Sequence, residues 1–247
     1  MYDLKKQTYT MDDLLNIMEL LRSPQGCPWD REQTHQSIRN NLLEEAYEAA
    51  EAIDTNDARL LREELGDVLL QVVLHSRLEE EKGGFRFSDV VDGIARKLVL
   101  RHPHVFGDCT VQNSEEVLSN WEAIKKQEKG RNTDTQVLQG VSKALPSLMR
   151  AQKISKKAAK AEGKPQVLSE AVDSLLEDAK ELALSADSGQ TEEQRKKLGR
   201  LLFSVAEVSG ILKIEAEQAL SEACDRFILQ FEEREKQSAG VEPLIEK

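Results

Sequence analysis

The chain has 247 residues, and 45 Asp and Glu against 34 Lys and Arg give it a formal net charge of -11. This acidic balance argues against a nucleic acid as the main partner, because binding to a phosphate backbone depends on cations that replace its counterions. Hydrophobic residues make up 39% of the chain but aromatic residues only 4%, which favours long helices over β-sandwiches or barrels.

The sequence shows no sign of export or of insertion into a membrane. Its longest apolar stretches are too short to cross a bilayer, and Met1–Lys5 lack the apolar core of a signal peptide. Cys27, Cys109 and Cys224 are too few and too scattered for a disulfide framework or a thiolate zinc site. We therefore expect a soluble, reduced, cytoplasmic protein that has no membrane partner.

Apolar residues recur at helical spacing along almost the whole chain, and this pattern predicts an all-α fold. Thr10 followed by Asp13 is typical of a capping box at the start of the first helix. Loops are predicted at residues 23–30 and 102–107, where Pro and Gly interrupt the periodicity. The other predicted helices cover residues 34–53, 58–81 and 88–101, and one more begins at Ser114.

The second half of the chain repeats part of the first half at an offset of 133 residues. Glu64–Leu70 resembles Lys197–Phe203, and Glu44–Glu48 aligns with Glu177–Glu181. A polar segment that starts at Gly130 separates the two copies and is the best candidate for a linker. We therefore predict two tandem helical-bundle domains, over residues 1–130 and 143–247, joined by a linker at 131–142.

Acidic side chains are concentrated on the two predicted helices at 34–53 and 58–81. Spacings of three or four residues bring helical side chains to a common face. A single helical Glu is usually a solvated surface charge, but the second helix is apolar almost all round, which predicts that it is buried. The acids are Glu44, Glu45 and Glu48 on the first helix and Glu64 and Asp67 on the second, where a stripe of Glu64, Asp67 and Gln71 points into the protein.

Buried carboxylates need a partner, because an isolated buried charge costs several kcal/mol or more. A hard divalent cation neutralises several carboxylates at once, and Mg²⁺ bound in this way usually also takes substrate phosphates. A di-iron site is disfavoured, because the cluster has no Glu-x-x-His motif. His102 and His104 lack a third zinc ligand in a matching motif, so a structural loop is the favoured interpretation there.

Two pairs of side chains at helical spacing follow the acids along the chain, and each pair includes a cation. Lys97 pairs with Arg101, and Trp121 with Lys125. Each pair alone is nonspecific, since exposed Lys and Arg are the surface default and a lone Trp is usually core. Together with a metal that takes phosphates, they suit a nucleoside triphosphate.

Three motifs together resemble the MazG family of all-α nucleoside triphosphate pyrophosphohydrolases. The resemblance covers the whole chain, strongly over residues 1–128 and weakly afterwards, where Leu145–Lys153 is similar to the start of the family's second domain. The motifs are Gly26-Cys27-Pro28-Trp29-Asp30, then Glu44-Glu45-x-x-Glu48 with Glu64-x-x-Asp67, and finally Arg101-His102-Pro103-His104-Val105-Phe106.

The resemblance implies hydrolysis of NTPs or dNTPs to the monophosphate and pyrophosphate, with Mg²⁺ as cofactor, Mn²⁺ as its substitute and a sanitising role in the nucleotide pool. It also implies a homodimer. Glu44 would position or activate water. By position, the metal ligands would be Glu45, Glu48, Glu64 and Asp67, the phosphate-binding residues Lys97 and Arg101, and the residues closing over the nucleotide Trp121 and Lys125.

The second repeat departs from this pattern at the charged positions. Lys197 stands in the position of Glu64, and Arg200 in that of Asp67. Two cations are incompatible with a Mg²⁺ site, so we expect the first domain to be catalytic and the second to be degenerate, with a structural or dimerising role. Two alternatives stay open: a related all-α hydrolase for dUTP or a phosphoribosyl-ATP, and a non-enzymatic helical module whose acids face a basic partner.

Overall fold

The computed structural model describes residues 6–130, 132–163, 165–185 and 191–239. These residues form helices and no strand, which confirms the all-α prediction; Met1–Lys5 and Arg131 lie outside them. No helix in the described part of the chain is both long and apolar enough to span a membrane. The helices are α1 Met11–Arg22, α2 Pro28–Glu32, α3 Arg39–Asp54, α4 Ala58–Glu81, α5 Phe87–Arg101, α6 Pro103–Phe106, α7 Ser114–Glu128, α8 Asp134–Gln139, α9 Ser147–Glu162, α10 Leu168–Leu184, α11 Thr191–Ile211 and α12 Ala216–Ala239.

Side-chain caps explain where two of the predicted helices begin. The Thr10 amide donates to Asp13 Oδ2 at 2.7 Å and the Asp13 amide to Thr10 Oγ1 at 3.3 Å, so the predicted capping box is present. Asp57 accepts from the amides of residues 59 and 60 and starts α4 at the predicted residue. The helix predicted from residue 34 begins later, at Arg39, because Thr34 and Ser37 form a turn through reciprocal side-chain hydrogen bonds.

The chain divides into two compact units, Met1–Trp121 and Glu122–Lys247. The division falls inside α7, ahead of the boundary predicted near residue 130. The predicted linker also contains a helix, α8, because Thr133 and Gln136 form a capping box at its start. Residues 134–139 of the segment predicted as a linker over 131–142 are therefore helical.

Each unit is built around one central helix. In unit 1, α4 packs against α1, α3 and α5, and in unit 2, α11 packs against α9, α10 and α12. The repeat offset of 133 residues carries α4 onto residues 191–214, which contain α11. The core of unit 1 consists of Met18, Ile38, Val73, Leu74 and Leu78.

The Gly26–Asp30 motif forms the connection between α1 and α2. A Cβ atom on Gly26 would lie 2.2 Å from the carbonyl oxygens of Leu20 and Leu21, so only glycine fits there. Arg22 donates to the Asp30 carbonyl and binds the carboxylate of Glu81 at 2.7 and 2.9 Å. The motif therefore ties the end of α1 to the end of α4.

A pair of histidines fixes the segment before α3 to the second half of α4. His35 Nε2 lies 2.7 Å from a carboxylate oxygen of Glu79, and His35 Nδ1 lies 2.7 Å from His75 Nδ1. Because the carboxylate only accepts, His35 Nε2 carries a proton and donates it to Glu79. Burial, followed by the neighbouring His35, lowers the pKa of His75 and favours its neutral form.

The expectation that α4 is buried all round is wrong on one flank. Leu65 is 54% exposed, although Glu64 beside it is buried. On the neighbouring helix α3, Leu43 and Tyr47 are exposed as well, and we call these three side chains the exposed apolar flank. A single copy of unit 1 therefore leaves this flank in contact with solvent.

Candidate metal and nucleotide site

Three glutamates converge where α3 packs against α4. Glu45, Glu48 and Glu64 each offer one carboxylate oxygen, and these oxygens all lie within 4.8 Å of one another. Glu45 and Glu48 are three residues apart and share a face of α3, while Asp57 starts α4 so that Glu64 returns to that face. Glu64 is only 9% exposed, whereas Glu48 is exposed, so the group is open to solvent on one side.

Burial and the neighbouring carboxylates raise the pKa of two members of this group, Glu64 and Glu45. Burial, followed by the charges of Glu48 and Asp67, raises the pKa of Glu64. Burial, followed by the charge of Asp67 and then those of Glu48 and Glu64, raises the pKa of Glu45. Asp67 is therefore close enough to act on both glutamates, as its position on α4 predicts.

This donor set fits a hard divalent cation. All the converging donors are carboxylate oxygens, the ligands that Mg²⁺ and Ca²⁺ prefer. Besides burial, the causes that raise the pKa of Glu45 and Glu64 are neighbouring acids, and within the described part of the chain no cationic side chain contributes to either shift. A bound cation would remove this repulsion and explain why four acids occupy one site.

Glu44 lies beside this group rather than in it. Its side chain is exposed on α3, and among the described residues the carboxylates close enough to share an ion are Glu45, Glu48 and Glu64. The water-positioning role predicted for Glu44 stays a prediction.

The predicted phosphate- and nucleotide-binding residues lie in different environments. Lys97 is exposed on α5, while Arg101, one turn later, is only 9% exposed. The Arg101 guanidinium carbon lies 5.2 Å from the centroid of the Trp121 ring, a cation–π arrangement. Lys125 lies on the part of α7 that belongs to unit 2. The structure thus brings Arg101 and Trp121 together, and the binding roles of all four residues stay predictions.

His102 has a packing role that the sequence did not indicate. Its ring meets the Trp121 ring edge-on at a centroid distance of 4.9 Å, and its Nδ1 donates to the Leu98 carbonyl at 2.6 Å. His104 lies next to it, with ring centroids 5.6 Å apart. These contacts favour a structural role for His102 and His104. The segment predicted as a loop at 102–107 contains helix α6, with His102 as its N-cap residue.

The second repeat holds an ion pair at the positions where unit 1 holds its group of acids. Arg200, in the position of Asp67, binds Asp178 through Nε at 2.9 Å and Glu181 through Nη1 at 3.2 Å. Asp178 and Glu181 stand in the positions of Glu45 and Glu48. A hydrogen bond from Ser204 and then those from Arg200 lower the pKa of Asp178. The guanidinium thus supplies the positive charge that unit 1 lacks.

Lys197 does not join this cluster. It occupies the position of Glu64 but pairs with Glu193, one turn earlier on α11, at 2.9 Å. Two of the four acid positions of unit 1 are therefore cationic in unit 2, and one of the two cations binds the remaining acids.

Comparison with known proteins agrees with the arrangement in unit 1. Residues 33–106 match the model of the MazG nucleotide pyrophosphohydrolase domain. The chain is 38% identical over 244 residues to the nucleoside triphosphate pyrophosphohydrolase/pyrophosphatase MazG of Thermotoga maritima, covering 99% of this chain and 90% of that protein. The chain belongs to the MazG family. It is also 40% identical over 229 residues to the nucleoside triphosphate pyrophosphohydrolase of Escherichia coli, with 92% and 87% of the two chains covered.

The MazG domain match includes the five acids of α3 and α4 together with Lys97 and Arg101, but neither Trp121 nor the second repeat. A further relative, the uncharacterized protein YabN of Bacillus subtilis, is 43% identical over 230 residues, which are 92% of this chain and 47% of that protein. The family resemblance drawn from the three motifs is therefore confirmed.

Proposed function

We propose that unit 1 is a Mg²⁺-dependent nucleoside triphosphate pyrophosphohydrolase, in which Mn²⁺ is able to replace Mg²⁺. The observation that carries this proposal is the convergence of Glu45, Glu48 and Glu64, with Asp67 acting on two of them, in a partly buried site that lacks a compensating cation. The relatives named nucleoside triphosphate pyrophosphohydrolases support the reaction type.

The side chains divide between holding the cation and holding the substrate. Glu45, Glu48, Glu64 and Asp67 would bind Mg²⁺, which supplies charge neutralisation for the phosphate oxygens and a site for water. Glu44, exposed beside them, positions the attacking water. Lys97 and Arg101 take the remaining phosphate charge.

Two residues on α7 complete the proposed substrate site. Trp121 and Lys125 close over the nucleotide. The Arg101 guanidinium lies against the Trp121 ring. We therefore expect these two side chains to move together when the nucleotide binds.

The proposal gives the second repeat, helices α9 to α12, no catalytic role. The Arg200 guanidinium binds Asp178 and Glu181, the counterparts of two proposed metal ligands. A divalent cation would have to displace a bonded, positively charged side chain in order to bind there. The second repeat therefore serves structure and assembly.

The products of the first turnover test the reaction type. We expect the monophosphate and pyrophosphate in equal amounts and no orthophosphate, because attack falls between the α- and β-phosphates. The measurement is ion-exchange separation of the products from an NTP and dNTP panel that includes dUTP and oxidised nucleotides, with Mg²⁺ or with chelator. A nucleoside diphosphate and orthophosphate as first products would contradict the proposal. Turnover that persists in chelator would contradict it as well.

We extend the proposal to a homodimer that assembles through the exposed apolar flank. Unit 2 keeps apolar side chains at the same repeat positions as unit 1, although its acid site is replaced. A conserved need to cover these side chains explains why they persist. The exposed pairs at the repeat offset are Leu43 and Leu176, Leu65 and Leu198, Ile94 and Phe227, and Leu98 and Phe231.

Sedimentation equilibrium of the full chain tests the assembly. We expect twice the chain mass of 27.8 kDa at micromolar concentration, because exposed apolar patches of this kind mark association surfaces. A monomer throughout the micromolar concentration range would contradict the proposed dimer.

We place the enzyme in the cytoplasm, where its substrates are made, with removal of noncanonical nucleotides as its role.

A further inference from the structure

The side-chain oxygen of Gln71 is buried and unpaired among the described residues. Its side chain lies on α4 and is only 6% exposed, and its Oε1 has no hydrogen-bond partner within the described part of the chain. Buried polar groups are nearly always paired, because an unpaired one keeps its desolvation cost without compensation. An unpaired buried oxygen therefore calls for a ligand, an ion or a water molecule.

Helical spacing places Gln71 on the face of the acid site. It lies four residues after Asp67 and seven after Glu64, so the three side chains form one stripe along α4. Gln71 is the last member of this stripe in chain order and lies one helical turn after Asp67.

The second repeat shows what a residue at this position touches. Ser204 occupies the position of Gln71, and its hydroxyl donates to Asp178 Oδ2 at 2.6 Å. Asp178 is the counterpart of Glu45. In unit 2 the side chain at the Gln71 position therefore contacts the acid at the Glu45 position of the neighbouring helix.

Unit 1 has no such contact at Gln71. The carboxylate oxygens of Glu45, Glu48 and Glu64 converge there, and Gln71 Oε1 has no hydrogen-bond partner within the described residues. In unit 2, Arg200 neutralises the acids directly, and a short hydroxyl is enough to complete the pairing of Asp178.

We propose that Gln71 is a positioning residue of the metal site, whose amide donates to Glu45 and accepts a hydrogen bond from a water molecule on the bound cation. This inference rests on the proposed function. The amide fits both tasks because it carries a donor and an acceptor. It is neutral, so it adds no further repulsion to a site that already holds four acids.

Substitution by an apolar residue of similar size tests this role. We expect Gln71→Leu to bind Mn²⁺ about 10- to 100-fold more weakly in the absence of nucleotide, the range typical of partners that orient metal ligands. Its melting temperature in chelator should equal or exceed that of the wild type, because the substitution removes an unpaired buried group. Mn²⁺ titration followed by electron paramagnetic resonance measures the affinity, and thermal unfolding in chelator measures the stability.

Ser204→Ala is the matched control in unit 2. It removes the hydrogen bond to Asp178, so its melting temperature should fall while the Mn²⁺ affinity of unit 1 stays unchanged. Gln71→Met is a second apolar variant, chosen because its unbranched side chain adapts to irregular space, and it should behave as Gln71→Leu does.

The outcomes separate this inference from the proposed function. If the wild type binds no Mn²⁺, the proposed function fails and the role of Gln71 fails with it. If the wild type and both Gln71 variants bind Mn²⁺ equally, only the role of Gln71 is overturned. If both variants melt well below the wild type in chelator, Gln71 serves the core alone, which also overturns the inference.

Discussion

Replacing Glu48 by Gln is expected to lower hydrolysis by at least about a hundredfold, since even indirect partners of a metal change activity 10- to 100-fold. Replacing Glu181, its counterpart in unit 2, by Gln should leave turnover within about twofold. The physical reason is that Glu48 belongs to the group of carboxylates that lacks a cation, whereas Glu181 already binds Arg200 at 3.2 Å. Initial rates at saturating Mg²⁺ and substrate measure both effects.

The two variants make the same chemical change at equivalent helical positions, so each controls for the other. Far-ultraviolet circular dichroism should show unchanged helicity for both, because each side chain is exposed or partly exposed on its helix. Loss of turnover in Glu181→Gln with normal turnover in Glu48→Gln would mean that unit 2 carries the activity. Equal losses in both variants would contradict a division of labour between the repeats.

Removing Arg200 is expected to give the largest loss of stability in unit 2. Asp178 has a side chain only 7% exposed, and Arg200→Leu leaves its buried charge without a counter-charge, which is one of the most destabilising changes in proteins. We expect the melting temperature in chelator to fall by several degrees. The double variant Asp178→Asn/Arg200→Leu should recover most of the loss, because it removes both charges.

The equivalent position in unit 1 should respond with the opposite sign. Burial, followed by the charges of neighbouring acids that include Asp67, raises the pKa of Glu45 and Glu64. A carboxyl group with a raised pKa in the folded state loses stabilisation as the pH rises through that pKa. Asp67→Asn should therefore melt higher than the wild type at neutral pH in chelator. A lower melting temperature for Asp67→Asn, or an unchanged one for Arg200→Leu, would show that these charges do not act as described.

Helix positions in this chain follow from local sequence signals. Asp57 caps α4 and sets its first residue, and Thr10 with Asp13 does the same for α1. The convergence of the acids also follows from spacing, because α3 and α4 are consecutive helices separated by a short turn. Glu64 faces inward as the apolar pattern of α4 predicts.

Features that depend on tertiary contacts were beyond the sequence. The burial of Arg101 comes with its contact to Trp121, which lies on another helix. The chain divides inside α7, and the Thr133 cap starts a helix within the segment that was predicted as a linker. Leu65 counts as apolar in any pattern, and only the packing shows that it is exposed in a single chain.

The Arg200 guanidinium occupies in unit 2 the place that the proposed Mg²⁺ takes in unit 1. The two repeats should therefore differ in how strongly their stability depends on dissolved metal ions. Arg200 is covalently part of the protein, so dilution or chelation does not remove it. Under the proposed assignment, unit 1 depends on a dissolved ion whose concentration varies with the state of the cell. Duplication has thus separated two demands within one polypeptide. Under that assignment, one copy keeps the charge repulsion that would make it responsive to magnesium, and the other is expected to fold in the same way whether magnesium is scarce or abundant.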